Sequence, residues 1–94
     1  MPQRSVAVGS SSGLHARPAS LFVQAAARQP VRVSVAREGS DAVDARSLLS
    51  VLALGARHGD TVVLSVEDEG PQAEDALEEL ATLVAHDFDA PEQP

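Results

Sequence analysis

The chain of 94 residues carries 14 acidic and 7 basic side chains, for a net charge of −7, and contains no cysteine. That length is enough for one small domain with a single core. The acidic excess argues against nucleic acid as a partner, because binding to phosphate backbones needs a basic surface. Without cysteine, disulfides, thiolate nucleophiles and cysteine-based zinc sites are excluded. No apolar run suits a signal peptide or a membrane span, so we expect a soluble cytoplasmic protein without membrane insertion.

The first predicted elements are a strand and a helix. Alternating valines predict a strand over residues 5–8, and a loop rich in serine and glycine follows at 9–13. Residues 16–28 are expected to form a helix, because apolar side chains recur there at helical spacing. Phe22 lies in this apolar stripe, and we expect it at the centre of a core that otherwise relies on small aliphatic side chains.

A hairpin is predicted next. Valines at alternate positions over 31–35 are typical of a strand with one buried face. The group Glu-Gly-Ser-Asp at 38–41 favours a turn. Residues 42–44 are then expected to return as a short paired strand.

Two helices and a strand complete the predicted order. Ser47 is placed to cap a short, strongly apolar helix over 48–54, and Gly55 is placed to end it. The sequence Thr-Val-Val-Leu-Ser-Val at 61–66 favours a strand. The last helix is expected to begin at Pro71, with one apolar face and an acidic N-terminal half.

The order β-α-β-β-α-β-α indicates an α+β fold: a two-layer open-faced sandwich in which three helices cover one face of a four-stranded antiparallel sheet. We expect residues 1–88 to form a single domain and residues 89–94 to be a frayed C-terminal tail. We also expect a monomer. A domain of this size has little room for an internal active site, so a site at the surface is predicted.

The segment Gly-Leu-His-Ala-Arg-Pro-Ala at 13–19 lies where a loop becomes a helix. With His15 as the cap residue and Pro18 in the first turn, the N–H groups of Ala16 and Arg17 are left without helical partners, at the positive end of the helix dipole. An anion is stabilised there, and a neutral imidazole could carry it covalently. The competing interpretation is a solvated histidine and a surface arginine.

This segment, followed by Arg-Ser-Leu-Leu at 46–49 and Leu-Gly at 54–55, resembles the HPr family. Its members are the histidine-containing phosphocarriers of the bacterial phosphoenolpyruvate-dependent sugar phosphotransferase system. The resemblance extends over roughly the whole domain and rests on two motifs at the family's separation.

The resemblance implies a phosphoryl carrier that is not an enzyme and needs no cofactor or metal. His15 would accept a phosphoryl group at Nδ1 from phospho-enzyme I and pass it to an enzyme IIA domain for sugar uptake. Arg17 would balance its charge, and the N–H groups of Ala16 and Arg17 would bind its oxygens. The alternative is a regulatory phosphoprotein of a nitrogen-related or catabolite-control branch, which binds partners in its phospho-His15 or phospho-Ser47 state.

The resemblance also bears on the short helix after Ser47. Its apolar side chains are too many for one buried face, so part of the helix is expected to form a partner surface. The alternative is that all of them, Val51 included, pack into the core, and the resemblance favours exposure for Leu48 and Leu52. The residues assigned to this surface are Leu48, Leu49, Leu52 and Ala53. Ser47 matches a serine that a kinase phosphorylates in some family members, and a plain helix cap is the competing interpretation.

The remaining charged candidates are arginines and histidines. Many family members carry lysines on the docking face, whereas this chain has none, which leaves Arg17, Arg28 and Arg46 as its expected positive groups. His58 and His86 are interpreted as solvated histidines rather than as a second phosphorylation site or metal ligands.

Overall fold

The computed structural model describes residues 2–86, and its elements follow the predicted order. They are β1 (Gln3–Ala7), α1 (Ala16–Ala27), β2 (Val33–Arg37), β3 (Val43–Asp44), α2 (Leu48–Ala53), β4 (Thr61–Val66) and α3 (Pro71–Ala85). The predicted tail at 89–94 and the end of the predicted domain at 87–88 lie outside the described residues.

The four strands form one antiparallel sheet in the order β1-β4-β2-β3. Alternation along the central strands sends Val33, Val35, Val62 and Leu64 to one face, where they are fully buried. On that face α3 packs against β1 and β4, α2 packs against β3, and α1 bridges the two other helices. The other face carries no helix of the described chain. The predicted open-faced sandwich is therefore confirmed.

Within residues 2–86, the core is aliphatic apart from one aromatic ring. Phe22 has no exposed surface and is the largest fully buried side chain among the described residues, followed by Leu64, Leu77 and Leu80. Its predicted central position is confirmed. Full burial of a side chain of this size contributes about 1.5–3 kcal/mol.

Several predicted boundaries are wrong by one or two residues. β1 begins at Gln3 because the polar residues before the valines also pair with β4. Val31 is buried, but β2 begins only at Val33, so burial rather than strand pairing explains the first valine. The short helix ends one residue early, with Leu54 as its C-cap, and Gly55 follows in the left-handed conformation (φ +66°), as expected of a residue that ends a helix.

Two loops meet at one end of the sheet and carry the candidate site. They are the β1–α1 loop, residues 8–15, and the α2–β4 loop, residues 54–60. Val8 N donates to Asp60 O (2.9 Å), and Gly59 N donates to Val8 O (2.9 Å), which continues the β1/β4 pairing into both loops. Leu14 N donates to Ala56 O (2.9 Å), next to the start of α1. The position of His15 is thus fixed by strand pairing as well as by its own helix.

Candidate functional site

His15 occupies the N-cap position of α1, as predicted. Its backbone is extended (φ −150°, ψ 161°), and its side chain makes no capping hydrogen bond. Its N–H donates to Gly13 O (3.0 Å), which turns the chain tightly before the helix. The imidazole is exposed and has no hydrogen-bond partner within residues 2–86. This ring is available to a reactant that approaches from solvent.

The first turn of α1 leaves two backbone donors open. No residue in the described part of the chain accepts a hydrogen bond from the N–H of Ala16 or Arg17, and Pro18 has no N–H. The first helical bond, from Ala19 N to His15 O, is long at 3.4 Å. The first turn contains no acidic side chain that would compete for this positive helix end. The geometry therefore suits an anion beside the imidazole.

Ala16 has an unusual backbone conformation for a residue with a Cβ atom. Its φ is +50°, which places it in the left-handed region. Such a conformation costs about 1–2 kcal/mol for a non-glycine residue. The hydrogen bonds of Leu14 and His15 hold the two preceding residues in place, so the strain falls on Ala16. The sequence pattern predicted the helix start but gave no sign of this strain.

Gly13 allows the two loops to approach each other. Its φ is +81°, and a Cβ atom built on it would lie 2.7 Å from Ala56 O and 3.0 Å from Arg57 Cα. Any side chain there would clash with backbone rather than with the flexible end of a neighbour. The contact brings residues 56–57 directly under the turn that precedes His15.

The cationic side chains differ from the predicted set. Arg17 and Arg28 are exposed and form no ion pair within residues 2–86, as a docking face requires. Arg46 instead donates to Asp44 from its backbone N–H (2.9 Å), from Nε (3.3 Å) and from Nη2 (3.3 Å). These side-chain and backbone hydrogen bonds, with a smaller contribution from Arg32, hold the pKa of Asp44 below its usual range.

Arg57 is a cation near the site that the sequence reasoning missed. It is exposed, and its guanidinium forms no ion pair within residues 2–86. A signal was present in the sequence: positions 1–37 and 45–59 contain no aspartate or glutamate although the net charge is −7. All of the segments around His15, including Arg57, fall in these stretches.

The α2 helix presents part of the predicted partner surface. Leu49 is 82% exposed and Leu48 is 42% exposed, and Ala53 is exposed as well. Leu52 differs from this expectation, since it is half-buried and packs against the core, while Val51 is fully buried. A six-residue helix lying on β3 turns one side toward the core, and Leu52 borders that side.

Ser47 is confirmed as the cap of α2. Its Oγ accepts a hydrogen bond from Ser50 N (3.3 Å), and its own N–H donates to Asp44 O (3.1 Å). Ser47 is partly exposed at the end of the helix that carries Leu48 and Leu49. Its hydroxyl therefore has a structural role whether or not it is modified.

The other two histidines lie at loop and helix ends. His58 is exposed, as predicted, but its Nδ1 lies 3.2 Å from Ser10 O and so ties the α2–β4 loop to the β1–α1 loop. His86 is the C-cap of α3, with its N–H donating to Leu83 O (3.2 Å). Within residues 2–86, no three histidine, aspartate or glutamate side chains converge to hold a metal ion. No helix over the same range is long and apolar enough to cross a membrane.

Comparison with known proteins agrees with this geometry. Residues 2–86 match the family described as PTS HPr component phosphorylation site. The phosphocarrier protein HPr of Streptomyces coelicolor is 51% identical over 85 residues, which cover 90% of this chain and 89% of the relative. The HPr-like protein Crh of Bacillus subtilis is 39% identical over 84 residues, covering 89% and 95%.

The fold comparison points the same way. The crystal structure of HPr from Bacillus anthracis superposes with a TM-score of 0.80 at 36% identity, covering 88% of this chain and 95% of that one. Residues 2–86, which match the family, contain both loops and all seven elements. The chain therefore belongs to the HPr family, whose members are phosphocarrier proteins of the phosphotransferase system rather than enzymes with an active site of their own.

Proposed function

We propose that His15 is the phosphoryl acceptor of this carrier. An imidazole nitrogen, assigned as Nδ1 by the family resemblance, attacks the phosphorus of a phosphohistidine on enzyme I. A new N–P bond forms at His15 as the bond to the donor histidine breaks, and the donor nitrogen keeps the released electron pair. In the second transfer a histidine of an enzyme IIA domain attacks in turn and leaves His15 free.

The single observation that carries this proposal is the open start of α1. Within residues 2–86, an exposed imidazole lies beside two N–H groups that have no acceptor, and the guanidinium of Arg17 has no ion pair. Two N–H donors and one mobile cation stabilise a phosphoryl group without enclosing it. A carrier needs this balance, because tight binding of the phosphorylated state would slow the onward transfer.

The partner surface adjoins this site. We expect Leu48, Leu49 and Ala53 to contact enzyme I and enzyme IIA domains, with Leu52 contributing only its exposed part. The carboxylate-free segments around His15 suit partners whose docking faces are acidic. We expect the relay to operate in the cytoplasm, with this protein acting as a monomer.

Loading with labelled phosphoenolpyruvate and enzyme I tests the proposal. We expect one acid-labile, base-stable phosphate on the wild-type protein and none on His15→Ala. His58→Ala and His86→Ala are matched controls, because they remove the other two histidines and should leave loading intact. Label that persists on His15→Ala would contradict the assignment.

The docking surface is tested by onward transfer to a panel of IIA domains. Leu49→Ser removes the most exposed apolar side chain of α2 and should slow transfer about tenfold, since a central apolar contact is worth roughly 1–2 kcal/mol. Thr82→Ser is a matched control on the exposed surface of α3. Equal transfer rates for Leu49→Ser and wild type would remove α2 from the interface.

A second candidate function is regulation through Ser47, favoured by its place next to Leu48 and Leu49. A phosphate there would add about −1.5 to −2 charges at the docking surface and repel acidic partners. Asparagine and aspartate both cap helices well, so Ser47→Asn keeps the cap without charge and Ser47→Asp adds charge. We expect slower transfer only for Ser47→Asp. Equal rates for the two variants would argue against regulation by charge at this position.

A further inference from the structure

We propose that Arg57 is a second cation for the phosphoryl group on His15, acting with Arg17 from the opposite loop. The inference rests on the proposed phosphorylation of His15 and adds a residue to that site. Its starting point is the contact between the two loops, where Arg57 Cα would lie 3.0 Å from a Cβ atom on Gly13.

The backbone of Arg57 is held firmly close to the site. Ala56 O accepts from Leu14 N (2.9 Å), and His58 Nδ1 lies 3.2 Å from Ser10 O. These contacts fix the residues on both sides of Arg57 against the loop that leads to His15. Consecutive Cα atoms are about 3.8 Å apart, so Gly13 and His15 are separated by no more than about 7.6 Å, a distance that an arginine side chain can span.

Asp60, which binds the backbone of Arg57, forms no ion pair with its guanidinium. Asp60 Oδ2 accepts from the backbone N–H of Arg57 (2.8 Å) and pairs with Arg37 Nη2 (3.3 Å). Arg37 also donates to Leu54 O (3.4 Å), so it braces both ends of the α2–β4 loop. The side chain of Arg57 is exposed and forms no ion pair within residues 2–86.

The local charge balance favours the phosphoryl group as its ligand. Among arginine, aspartate and glutamate side chains, residues 8–20 and 46–59 contain only Arg17, Arg46 and Arg57. Arg46 is engaged by Asp44, which leaves Arg17 and Arg57 for an anion at His15. Transfer to His15 delivers a phosphoryl group with up to two negative charges, and each guanidinium offers a fork of donors that fits its oxygens.

A 31P NMR titration of the phosphorylated protein, without any partner present, tests this role. A nearby cation favours the dianionic phosphoryl group and so lowers the midpoint of its second ionisation. Arg57→Gln should raise that midpoint by roughly 0.2–0.7 pH units, as expected for loss of an exposed charge pair. Arg57→Lys should keep the midpoint close to the wild-type value, because it keeps the charge.

Arg28→Gln is the matched control. Arg28 is exposed and lacks an ion pair within residues 2–86, but it caps the far end of α1, about 20 Å along the helix axis from His15. A shift in Arg28→Gln equal to that in Arg57→Gln would reveal a general effect of net charge and overturn the proposal. So would slower transfer to IIA domains by Arg57→Gln with an unchanged midpoint, since Arg57 would then act in docking. Failure of the wild-type protein to load on His15 would instead refute the proposed function itself.

Discussion

The N-termini of helices α1 and α2 differ in whether a side chain accepts from their first backbone N–H groups. At α2, Ser47 closes the helix end by accepting from Ser50 N, and Arg46 and Asp44 bind each other immediately before it. At α1, the side chain of His15 caps nothing, two N–H groups lack acceptors within residues 2–86, and Ala16 holds a left-handed φ of +50°.

The difference separates a structural helix start from one kept open for a ligand. Unsatisfied donors and backbone strain persist only where neighbouring contacts impose them, and such features cluster at functional sites. The two loops impose them here, through Gly13, Leu14 and Ala56. The capped start of α2 carries no such strain and supplies a firm apolar surface instead.

The largest expected effect comes from the glycine that lets the loops meet. Gly13→Ala should lower the free energy of unfolding by about 2–4 kcal/mol, because it adds a backbone clash to an unfavourable φ. Gly39→Ala is the matched control: its φ is +87°, but no atom lies within 4 Å of the added Cβ, so about 1 kcal/mol is expected. Urea denaturation measures both. Equal losses would mean that the loop contact does not support the α1 start.

The next largest effect is expected from removing the side chain at each N-cap position, which should destabilise the protein at α2 but not at α1. Ser47→Ala should destabilise the protein by about 1 kcal/mol, because the N–H of Ser50 loses its acceptor. His15→Ala should change stability by less than about 0.5 kcal/mol, because no capping bond is lost. Ser40→Ala, in the exposed β2–β3 turn, is a control for serine removal as such. A large loss of stability for His15→Ala would contradict the distinction between a capped α2 and an uncapped α1.

Relief of the backbone strain at the start of α1 should stabilise the protein rather than destabilise it. Ala16→Gly is expected to raise the free energy of unfolding by about 0.5–1 kcal/mol, since glycine adopts φ of +50° without the Cβ penalty. Ala27→Gly, at the exposed far end of the same helix, should instead lose a few tenths of a kcal/mol. Thermal unfolding of the two variants gives the sign. Destabilisation by Ala16→Gly would show that the backbone there is not strained.

The smallest expected effect concerns the ion pair between Asp44 and Arg46, just before α2. The pKa of Asp44 is lowered in the folded state by Arg46, so its contribution to stability is present above the unfolded pKa and is lost as pH falls through the folded one. The pair is solvent-exposed and screened, which limits the effect to about 0.2–1 kcal/mol. Asp44→Asn should therefore flatten the acid limb of a stability–pH curve, while Asp41→Asn, which forms no ion pair within residues 2–86, should not.

Much of this architecture could be predicted from local patterns. The alternation of valines, the helical spacing around Phe22 and the cap at Ser47 all act over a few residues, and each gave the right element. The segment at 13–19 likewise identified His15 and Arg17 as site candidates, because their chemistry and their place before a helix are local properties.

The features that sequence reasoning missed depend on contacts between distant segments. The guanidinium of Arg46 is paired with Asp44, which lies at the end of β3. Leu52 packs against the core because α2 lies against β3. The backbone of Arg57 lies near the site only because residues 56–57 pack against Gly13, more than forty positions away. Neither spacing nor propensity encodes such a meeting of two loops.

The pairing of Val8 with Asp60 and Gly59 has a consequence for hydrogen exchange. These bonds extend the β1/β4 ladder to the foot of the site, so the amide hydrogens of Val8 and Gly59 should exchange only when the sheet itself opens. The amides of Ala16 and Arg17, a few residues away, should exchange rapidly in the unphosphorylated protein and slow down once phosphoryl oxygens accept from them. Protected amides at Val8 and Gly59 and unprotected amides at Ala16 and Arg17 thus lie within the same site.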